Sequence, residues 1–397
     1  MTSKISIIQC VNDLQLSSGG PSKTVISLSS NLSELGLDIK ICSRLTSSFD
    51  FKSANIKENS DISFLNFNQK KGVFYRPLIN SYLLKELNQN FGNNNNTVLH
   101  DNGIWLPFNN TISKFSRSST FPLIISPHGM LEPWSLKYNY AKKKLAWYLY
   151  QRKALKSASV LHATSFKEAE NLLKLNLNLP VAVIPNGVEQ SINKDIGKKF
   201  DNKKFIKKKN FLYVGRIHPK KGLMNLLRVW NIIFKNNKNC DLIIAGYPEL
   251  NYLEKLKNYV NNNNLSGNVK FIGPVEGDDL VNLYKNSDIF VLPTYSENFG
   301  IVVAEALSYG IPVITTTGTP WKILEENNCG WYIEPQLESL KKALLEAFEI
   351  NKNDYSIKSK NAINLSKSFN WKKISKSFFD LYLWTLGEIG KPSTIVS

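Results

Sequence analysis

Residues 211–223 read FLYVGRIHPKKGL, a stretch that decides the fold class. Its first four residues are apolar, as in a buried strand, Gly215 then opens a turn, and a helical pattern begins at Leu223. Two cations, Arg216 and Lys221, stand in the turn between the strand and the helix. A strand that passes through a glycine turn into a helix is the unit of parallel α/β sheets, so we predict an α/β fold.

The same alternation of strand and helix extends in both directions from this stretch. Before it, the predicted elements are the strands Ile5–Gln9, Asp38–Cys42, Val98–His100, Leu123–Ser126, Val160–Ala163 and Val181–Ile184 and a helix from about Pro21 to Leu35. After it come the helices Leu223–Phe234 and Tyr252–Asn261 and the strands Asp241–Ala245, Val269–Ile272, Ile289–Leu292 and Pro312–Thr315. The chain of 397 residues is too long for one core and fits two α/β domains.

A Lys-rich segment with almost no apolar periodicity separates the two series. We predict an N-terminal domain over residues 1–190, a basic linker over 191–209 and a C-terminal domain over 210–370. A last helical stretch, at about 371–390, is aromatic and too long for a free tail, so we expect it to dock and assign it to the N-terminal domain. Two such domains leave a crevice between them, and ligands bind outside the carboxyl ends of parallel strands.

The formal charge of +18 is the strongest feature of the composition, and it is unevenly distributed. Residues 1–190 hold 21 Lys and Arg against 12 Asp and Glu, residues 191–210 hold 8 against 2, and residues 211–397 hold 21 against 18. A basic surface suits nucleic acid, an anionic membrane or a phosphorylated substrate. The alternative is a solubilising surface without a partner.

The cysteines, the histidines and the hydropathy of the chain bear on metal sites, on the compartment and on membrane segments. The four cysteines form no CxxC pair and the four histidines have no ligand spacing, so we expect buried thiols, a reducing compartment and no structural metal. No apolar run approaches the roughly 20 residues of a membrane-spanning helix, and residues 4–9 are too short and polar for a signal peptide. We expect a cytoplasmic protein, and peripheral docking on the inner face of the cytoplasmic membrane stays open.

Cations and carboxylates with complementary chemistry occur in the second half. Arg216 can grip a phosphate with two hydrogen bonds and Lys221 adds a point charge, which suits a diphosphate leaving group. If Glu297 lies in a loop and Glu305 in the helix that follows, both face one cleft, and carboxylates accept hydrogen bonds from the vicinal hydroxyls of a sugar or a ribose. The alternatives are a helix-capping turn with solvated charges and two ordinary surface glutamates.

Two histidines lie where predicted strands of the first half end. His128, in SPHG at 126–129, is therefore expected to point into the crevice rather than into the core, although a lone histidine is more often structural. His100 and Asp101 end another strand and could face an acceptor substrate. The alternative for that stretch is an Asx-type turn.

Residues 137–156 carry seven basic residues, no acidic residue and interleaved aromatic residues. A basic amphipathic helix of this kind suits an anionic bilayer surface or a lipid-diphosphate acceptor. The alternative is a helix whose aromatic face packs on the N-terminal sheet while its lysines are solvated.

Five short motifs follow one another along the chain. They are GGP at 19–21, PHG at 127–129, PNGV at 185–188, GR…KKG at 215–222 and E-x7-E at 297–305. In this order, and over nearly the whole chain, they resemble the retaining GT-B glycosyltransferases of family 4, many of which build polysaccharides and lipopolysaccharides on lipid-linked acceptors. The resemblance implies a GT-B fold of two Rossmann-like domains with an interdomain crevice, in which the second domain binds most of the nucleotide-sugar donor.

The resemblance also implies roles for single residues. Arg216 and Lys221 would hold the donor diphosphate, Glu305 would bind the ribose hydroxyls, and Glu297 would contact the donor sugar near its 3- and 4-hydroxyls. His128 would lie beside the transferred sugar and stabilise positive charge or bind its 6-hydroxyl. Donor binding would also involve Gly19, Gly20, Gly215, Val275, Phe299, Gly300 and Ile301, and the acceptor side would hold Asn186 together with His100 and Asp101.

A mechanism without a metal ion is expected from these residues. No D-x-D motif follows a strand in a suitable context, so Arg216 and Lys221 would replace a divalent cation and stabilise the leaving diphosphate. No cofactor is expected beyond the nucleotide-sugar donor. The family retains anomeric configuration, which implies attack on the face from which the diphosphate leaves, and a nucleophilic role for Glu297 stays open.

Three alternatives differ in class. A GT-B enzyme that acts on nucleotide sugars without transfer, such as an epimerase, is disfavoured by the order of the motifs. A nucleic-acid-binding protein is suggested by charge alone, and no zinc-finger, helix-turn-helix or RNP-type signature supports it. The third is a catalytically inactive, membrane-associated relative, which the presence of the five polar site residues argues against. These are Arg216, Lys221, Glu297, Glu305 and His128.

Overall fold

The computed structural model describes residues 5–14, 20–44, 62–66, 81–91, 96–190 and 208–396. Almost all of the predicted linker lies outside these residues. Gly19, which was predicted to bind the donor substrate, lies outside them as well. The chain divides into two units, one formed by residues 1–187 together with 371–397 and the other by residues 188–370. Each unit is built around its own sheet.

The first unit contains a parallel sheet. Its strands are β1 (Ser6–Asp13), β2 (Asp38–Arg44), β3 (Ile62–Asn66), β4 (Thr97–Asn102), β5 (Leu123–Ser126), β6 (Val160–Ala163) and β7 (Val181–Val183). Its helices are α1 (Gly20–Glu34), α2 (Ser81–Phe91), α3 (Pro107–Ser119), α4 (Pro133–Lys137), α5 (Tyr140–Ala146), α6 (Arg152–Leu155) and α7 (Phe166–Leu173), with a π-helical turn at Trp147–Gln151. Within the described residues the strand order is β3-β2-β1-β4-β5-β6-β7.

Strand β4 runs two residues beyond its predicted end at His100. Asp101 pairs in register with Ile125, and Asn102 pairs with Ser126 of the neighbouring strand. Every residue of β4 is buried, because helices cover both faces of a parallel sheet. Its last residues are polar and therefore resemble a loop in the sequence, although they lie in the interior.

The second unit repeats the arrangement. Its strands are β8 (Lys209–Val214), β9 (Cys240–Ala245), β10 (Val269–Gly273), β11 (Ile289–Leu292), β12 (Val313–Thr316) and β13 (Gly330–Ile333). Its helices are α8 (Leu223–Phe234), α9 (Leu250–Asn262), α10 (Gly277–Lys285), α11 (Ile301–Ser308), α12 (Ile323–Glu326), α13 (Leu337–Glu349) and α14 (Lys352–Ser366), with 3₁₀ turns at Pro219–Lys221 and Lys367–Phe369. The parallel strands stand in the order β10-β9-β8-β11-β12-β13.

The last helix, α15 (Trp371–Thr385), packs on the first unit rather than on the second. It buries Trp371, Phe378 and Tyr382 against the face of the first sheet that α1 also covers. Gly187 lies under the indole, and a Cβ there would stand 2.3 Å from Cδ2 of Trp371. The glycine of the PNGV motif is therefore required by the docking of this helix.

The predicted fold class is confirmed. Both sheets are parallel, both are covered by helices, and their strand orders are those of Rossmann-like domains. No helix within the described ranges is long and apolar enough to cross a membrane.

Candidate active site

Neighbouring strands of the second sheet end together at its carboxyl edge. β8 and β11 lie side by side although β9 and β10 intervene in the chain, so the strand order reverses between them. Open α/β sheets bind ligands at such a reversal. The segments that leave these two strands carry Arg216, Lys221 and Glu297.

The turn after β8 is held in one conformation. The Tyr213 hydroxyl donates a hydrogen bond to the Arg216 carbonyl at 2.8 Å. Gly222 closes the turn in the left-handed region, with φ of +72°, and a Cβ there would lie 2.0 Å from the carbonyl oxygen of Pro293. Only glycine fits this position, because the turn after β8 touches the backbone of the segment after β11.

Lys221 and Glu297 form an ion pair. Their side chains are 12% and 18% exposed, and the Glu297 N–H donates to the Gly318 carbonyl at 2.9 Å. Burial opposes ionisation of the carboxyl, but the cations Lys221, Lys220 and Arg216 outweigh it and hold the pKa of Glu297 below its usual value. Glu297 is therefore a carboxylate at neutral pH, and it compensates one of the cations.

Arg216 is exposed to solvent. In the part of the chain that the structure describes, no hydrogen bond or ion pair engages this side chain. A guanidinium matches two phosphate oxygens in a fork geometry. Because Lys221 is already paired with Glu297, Arg216 is the cation whose charge is most available to an anionic ligand.

Helix α11 begins four residues after Glu297. Gly300 precedes the helix with φ of +76°, and the Trp321 indole N–H donates to the carbonyl of Phe299. The first N–H groups of a helix, here those of Ile301 and Val302, have no intrahelical partner and favour an anionic ligand. The Val303 N–H already donates to the Gly300 carbonyl at 2.8 Å. Phe299, Gly300 and Ile301, which were predicted to bind the donor substrate, thus form the start of a helix beside the ion pair.

Glu305 lies in the second turn of α11 and is half-buried. The Tyr284 hydroxyl donates to Oε2 of Glu305 at 2.9 Å, and the Tyr284 ring stacks on Tyr309. Burial and the neighbouring carboxylate raise the pKa of Tyr284 well above its usual value, so the hydroxyl stays a donor. This hydrogen bond orients the Glu305 carboxylate. Val275, predicted to bind the donor, follows β10 and is partly buried against the hydrophobic core of the second unit.

His128 lies in the first unit, in the loop between β5 and α4. Its backbone is left-handed, with φ of +49°, and the following residue, Gly129, has φ of +75°. The Gly129 N–H donates to Oε1 of Glu168 at 2.7 Å, and Nε2 of His128 lies 3.1 Å from Oδ1 of Asn102. Backbone and ring are therefore both held, and the side chain remains partly exposed.

The other predicted residues of the first unit have different surroundings. Gly20 is exposed at the first position of α1, and Asn186 is partly exposed after β7. His100 and Asp101 are each only 1% exposed, so neither reaches the surface of the unit. His100 is hydrogen-bonded on both ring nitrogens, to Tyr382 and to Ser126. Burial, with His162 and His128 nearby, lowers the pKa of His100 well below its usual value.

Asp101 carries an unusual carboxyl. Burial raises its pKa from 3.8 to about 8, against the opposing effect of a hydrogen bond from Nδ2 of Asn109 at 2.8 Å. Its Oδ2 is buried without a hydrogen-bond partner. The carboxyl is therefore protonated at neutral pH in the folded protein, whereas it is ionised in the unfolded chain.

We expect Asp101→Asn to remove a pH-dependent loss of stability. Since the folded state holds this proton up to a higher pH than the unfolded state does, the free energy of unfolding falls as pH rises from 3.8 to about 8. The amide mimics the protonated acid, so melting temperatures should match below pH 3.8, and the variant should melt on the order of 5 °C higher at pH 8.5. Asp278→Asn, an exposed control on α10, should show no such trend. Parallel pH profiles of wild type and Asp101→Asn would contradict the assignment.

Four positioning residues were not predicted from the sequence. Gln9, Asn102, Glu168 and Tyr382 all hold the surroundings of His128, directly or through a hydrogen-bonded neighbour. A signal existed for Glu168, because Ser165 three residues earlier makes an S-x-x-E helix start. Gln9 interrupts an apolar run, and Asn102 is the last of three polar residues that follow one, which is a weaker signal.

An exposed apolar and basic surface covers α5 and the π-helical turn that follows it. Leu145, Tyr148 and Leu149 are 62%, 74% and 60% exposed, and α5 buries none of its residues. We call this the aromatic–basic surface; its other exposed members are Trp134, Lys137, Tyr138, Tyr140, Lys142, Lys144, Arg152 and Lys153. The alternative in which the whole aromatic face packs on the sheet is wrong, although Trp147 does pack against the core.

Comparison with known proteins agrees with the geometry. The family model "Glycosyltransferase Family 4" matches residues 18–191, and the model "Glycosyl transferases group 1" matches residues 195–364. A sucrose-phosphate synthase from Thermosynechococcus elongatus has the same fold, with a TM-score of 0.76 at 19% identity, over 97% of this chain and all of that one.

Two curated relatives are more similar in sequence. An uncharacterized glycosyltransferase from Methanocaldococcus jannaschii is 34% identical over 39% of this chain and 41% of its own. The UDP-Gal:alpha-D-GlcNAc-diphosphoundecaprenol alpha-1,3-galactosyltransferase of Escherichia coli is 31% identical over 52% of this chain and 54% of its own. The chain thus spans about half or less of the length of these relatives. The two matched family models lie end to end along the two units, and the chain belongs to the GT-B glycosyltransferases of family 4.

Proposed function

We propose that this glycosyltransferase moves a hexose-type sugar from a nucleoside-diphosphate sugar to a glycan or lipid-linked acceptor, with retention of anomeric configuration. The observation that carries the proposal is the combination, at one reversal of strand order, of exposed Arg216, the Lys221–Glu297 pair and the start of α11. Cations and unpaired backbone N–H groups suit a diphosphate, while carboxylates suit hydroxyls.

In this proposal the residues act mainly by electrostatic preorganisation. Arg216 binds the diphosphate and stabilises the charge that develops as the glycosidic bond breaks. Lys221 adds a second cation and orients Glu297, which accepts hydrogen bonds from sugar hydroxyls. No covalent nucleophile is needed if the leaving phosphate oxygen takes the acceptor proton on the same face. The two cations would supply the charge that a divalent metal ion supplies elsewhere, so we propose a metal-independent reaction without a further cofactor.

Glu305→Gln should weaken binding of the donor nucleotide. The carboxylate, oriented by Tyr284, would accept hydrogen bonds from both ribose hydroxyls, and loss of its charge should raise Kd roughly tenfold or more. Calorimetry with UDP and with GDP measures this without assuming the base. Glu254→Gln, an exposed glutamate on α9, is the matched control and should bind like wild type. Equal affinities in Glu305→Gln and the control would refute a ribose role.

The acceptor side of the proposal rests on surface chemistry. The aromatic–basic surface combines exposed tyrosine, leucine and lysine side chains, which suit the interface of an anionic bilayer. The Escherichia coli relative is named for an acceptor on diphosphoundecaprenol. All four cysteines are free and buried, which fits a reducing compartment. We therefore propose a cytoplasmic enzyme of cell-surface polysaccharide synthesis that contacts the inner face of the membrane peripherally.

The triple variant Leu145→Ser, Tyr148→Ser, Leu149→Ser should bind anionic vesicles roughly tenfold more weakly, since apolar burial in the interface is lost. Cosedimentation with phosphatidylglycerol-containing vesicles measures the partition. Ile232→Ser removes an equally exposed apolar side chain from α8 of the second unit, and should bind as wild type does. Unchanged binding of the triple variant would leave this surface without a membrane role.

A further inference from the structure

A continuous chain of side-chain hydrogen bonds crosses the first sheet and ends at His128. In order, its members are His128, Asn102, Gln9, Tyr382, His100, Ser126, His162 and the carbonyl of Ile184. The successive distances are 3.1, 3.0, 3.0, 2.8, 2.7, 2.7 and 2.8 Å. All members except His128 are buried, so water does not compete for these groups.

Which group donates and which accepts in each hydrogen bond follows from the end of the chain at the Ile184 carbonyl. A carbonyl can only accept, so Nε2 of His162 carries the proton and its Nδ1 accepts from Ser126. Burial lowers the pKa of His162 to about 4, which leaves this ring neutral. The Ser126 oxygen must then accept from Nε2 of His100, and Nδ1 of His100 accepts from the Tyr382 hydroxyl.

The contacts of Asn102, at the other end of the chain, independently give the same donors and acceptors. Nδ2 of Asn102 faces three acceptors, namely Oε1 of Gln9 at 3.0 Å, the His100 carbonyl at 3.2 Å and the Cys10 carbonyl at 3.4 Å. Only an amide NH₂ group suits three acceptors, so the carbonyl oxygen of Asn102 must face His128. Nε2 of His128 therefore carries the proton. The Gln9 amide, which must accept from Asn102, is then oriented to donate to Tyr382, as the first argument also requires.

These bonds leave Nδ1 of His128 with a lone pair. Desolvation of the partly buried ring, with His162 nearby, lowers the pKa of His128 to about 3, so the ring is neutral as well. No hydrogen bond to Nδ1 is made by the residues that the structure describes. The loop conformation is held separately by the bond from the Gly129 N–H to Glu168.

We propose that Asn102, oriented by Gln9, is a positioning residue that holds His128 as its Nε2–H tautomer, so that Nδ1 accepts a hydrogen bond from a hydroxyl of the substrate sugar. This rests on the proposed function as far as the sugar is concerned. A neutral nitrogen acceptor favours a hydroxyl, which can donate, over a phosphate, which cannot at neutral pH. His128 thereby acts on the sugar as an acceptor and carries no positive charge.

The tautomer is measurable without any activity. In wild type, imidazole ¹⁵N chemical shifts at pH 7 should show His128 protonated on Nε2 alone, with His100 and His162 as the same tautomer. The chain has four histidines, and a His128→Gln spectrum assigns the signal. Asn102→Leu keeps the volume but removes the acceptor, and His128 should become a mixture of tautomers. Asn102→Ala tests the same point if the leucine variant misfolds.

Ser126→Ala is the control for a general loss of stability. It breaks the chain through two bonds of 2.7 Å, yet it leaves Asn102 and its backbone acceptors in place. His128 should keep its tautomer in this variant, and kcat should stay within about twofold of wild type. In Asn102→Leu, kcat should fall several-fold, because the ring is no longer held in one orientation and the acceptor nitrogen is present in only part of the molecules.

Several results would overturn the proposal. They are a wild-type His128 that is protonated on Nδ1, an Asn102→Leu protein with an unchanged tautomer and kcat, and a Ser126→Ala protein that perturbs His128 equally. If wild type transfers no sugar from any nucleotide donor, the proposed function fails on that result, and the ¹⁵N spectra still decide whether Asn102 sets the tautomer.

Discussion

Arg216→Ala is expected to lower kcat for sugar transfer roughly 100-fold or more while the protein keeps its fold. Arg216 is exposed and makes no hydrogen bond or ion pair with the described residues, so its removal breaks no such contact in the unliganded protein, and Glu297 keeps Lys221 and Lys220 as compensating cations. Its contribution arises when the diphosphate gains charge during departure, which is a property of the transition state rather than of the ground state. The effect should therefore appear mainly in kcat, with a smaller change in KM for the donor.

Arg228→Ala provides the matched control for this measurement. Arg228 is also exposed and lies on α8, in the helix that the Arg216 turn enters. Both variants lower the net charge by one, so a difference between them reports position rather than charge. Steady-state rates within about twofold of wild type in Arg216→Ala, or an equal loss in the control, would remove Arg216 from the catalytic machinery.

Gly222→Ala should be the most damaging small substitution in the second unit. A left-handed backbone costs an alanine about 1–2 kcal/mol, and its Cβ would stand 2.0 Å from the carbonyl oxygen of Pro293. The two turns that bring Lys221 to Glu297 would have to separate, so the ion pair should also be lost. We expect a loss of roughly 3 kcal/mol or more in the free energy of unfolding, and at least a tenfold loss of kcat/KM.

Gly277→Ala separates the cost of a left-handed backbone from the cost of the close contact with Pro293. Gly277 also has a positive φ, of +55°, but no atom lies within 4 Å of a Cβ built there. That variant should lose only the backbone cost, about 1–2 kcal/mol in chemical denaturation. If Gly222→Ala and Gly277→Ala lower the free energy of unfolding by the same amount, the close contact with Pro293 does not constrain the turn.

Elements with clean apolar boundaries could be predicted from the sequence to the residue. The helix Leu223–Phe234 and the strand Ile289–Leu292 have the predicted limits, because a glycine or a proline and polar residues bound them. The end of β4 was placed too early, since Asp101 and Asn102 resemble a loop until their buried partners are known. The stretch at 137–156 is not one helix, because Asn139 adopts a left-handed conformation and separates α4 from α5.

The residues of the candidate site could be predicted from the sequence, but the contacts between them could not. Arg216, Lys221, Glu297 and Glu305 follow strands or open a helix, which is visible in the order of the motifs. The ion pair between Lys221 and Glu297 joins residues 76 positions apart, and no local pattern encodes it. The same holds for the chain that orients His128, because its bonds join different strands, the loop after β5, the residue after β7 and the distant helix α15. Asp101 was predicted to face a substrate and is instead a buried acid.

The most direct test of glycosyl transfer is a measurement on the purified full-length chain with excess EDTA. It would be incubated with a panel of uridine- and guanosine-diphosphate hexoses and membrane-extracted glycolipid acceptors, and the product linkage would be determined by NMR. We predict that at least one donor is consumed in EDTA, with nucleoside diphosphate released and the anomeric configuration retained in the product. Inversion of the configuration, or release of nucleoside diphosphate only after a divalent metal is restored, would contradict the proposed mechanism.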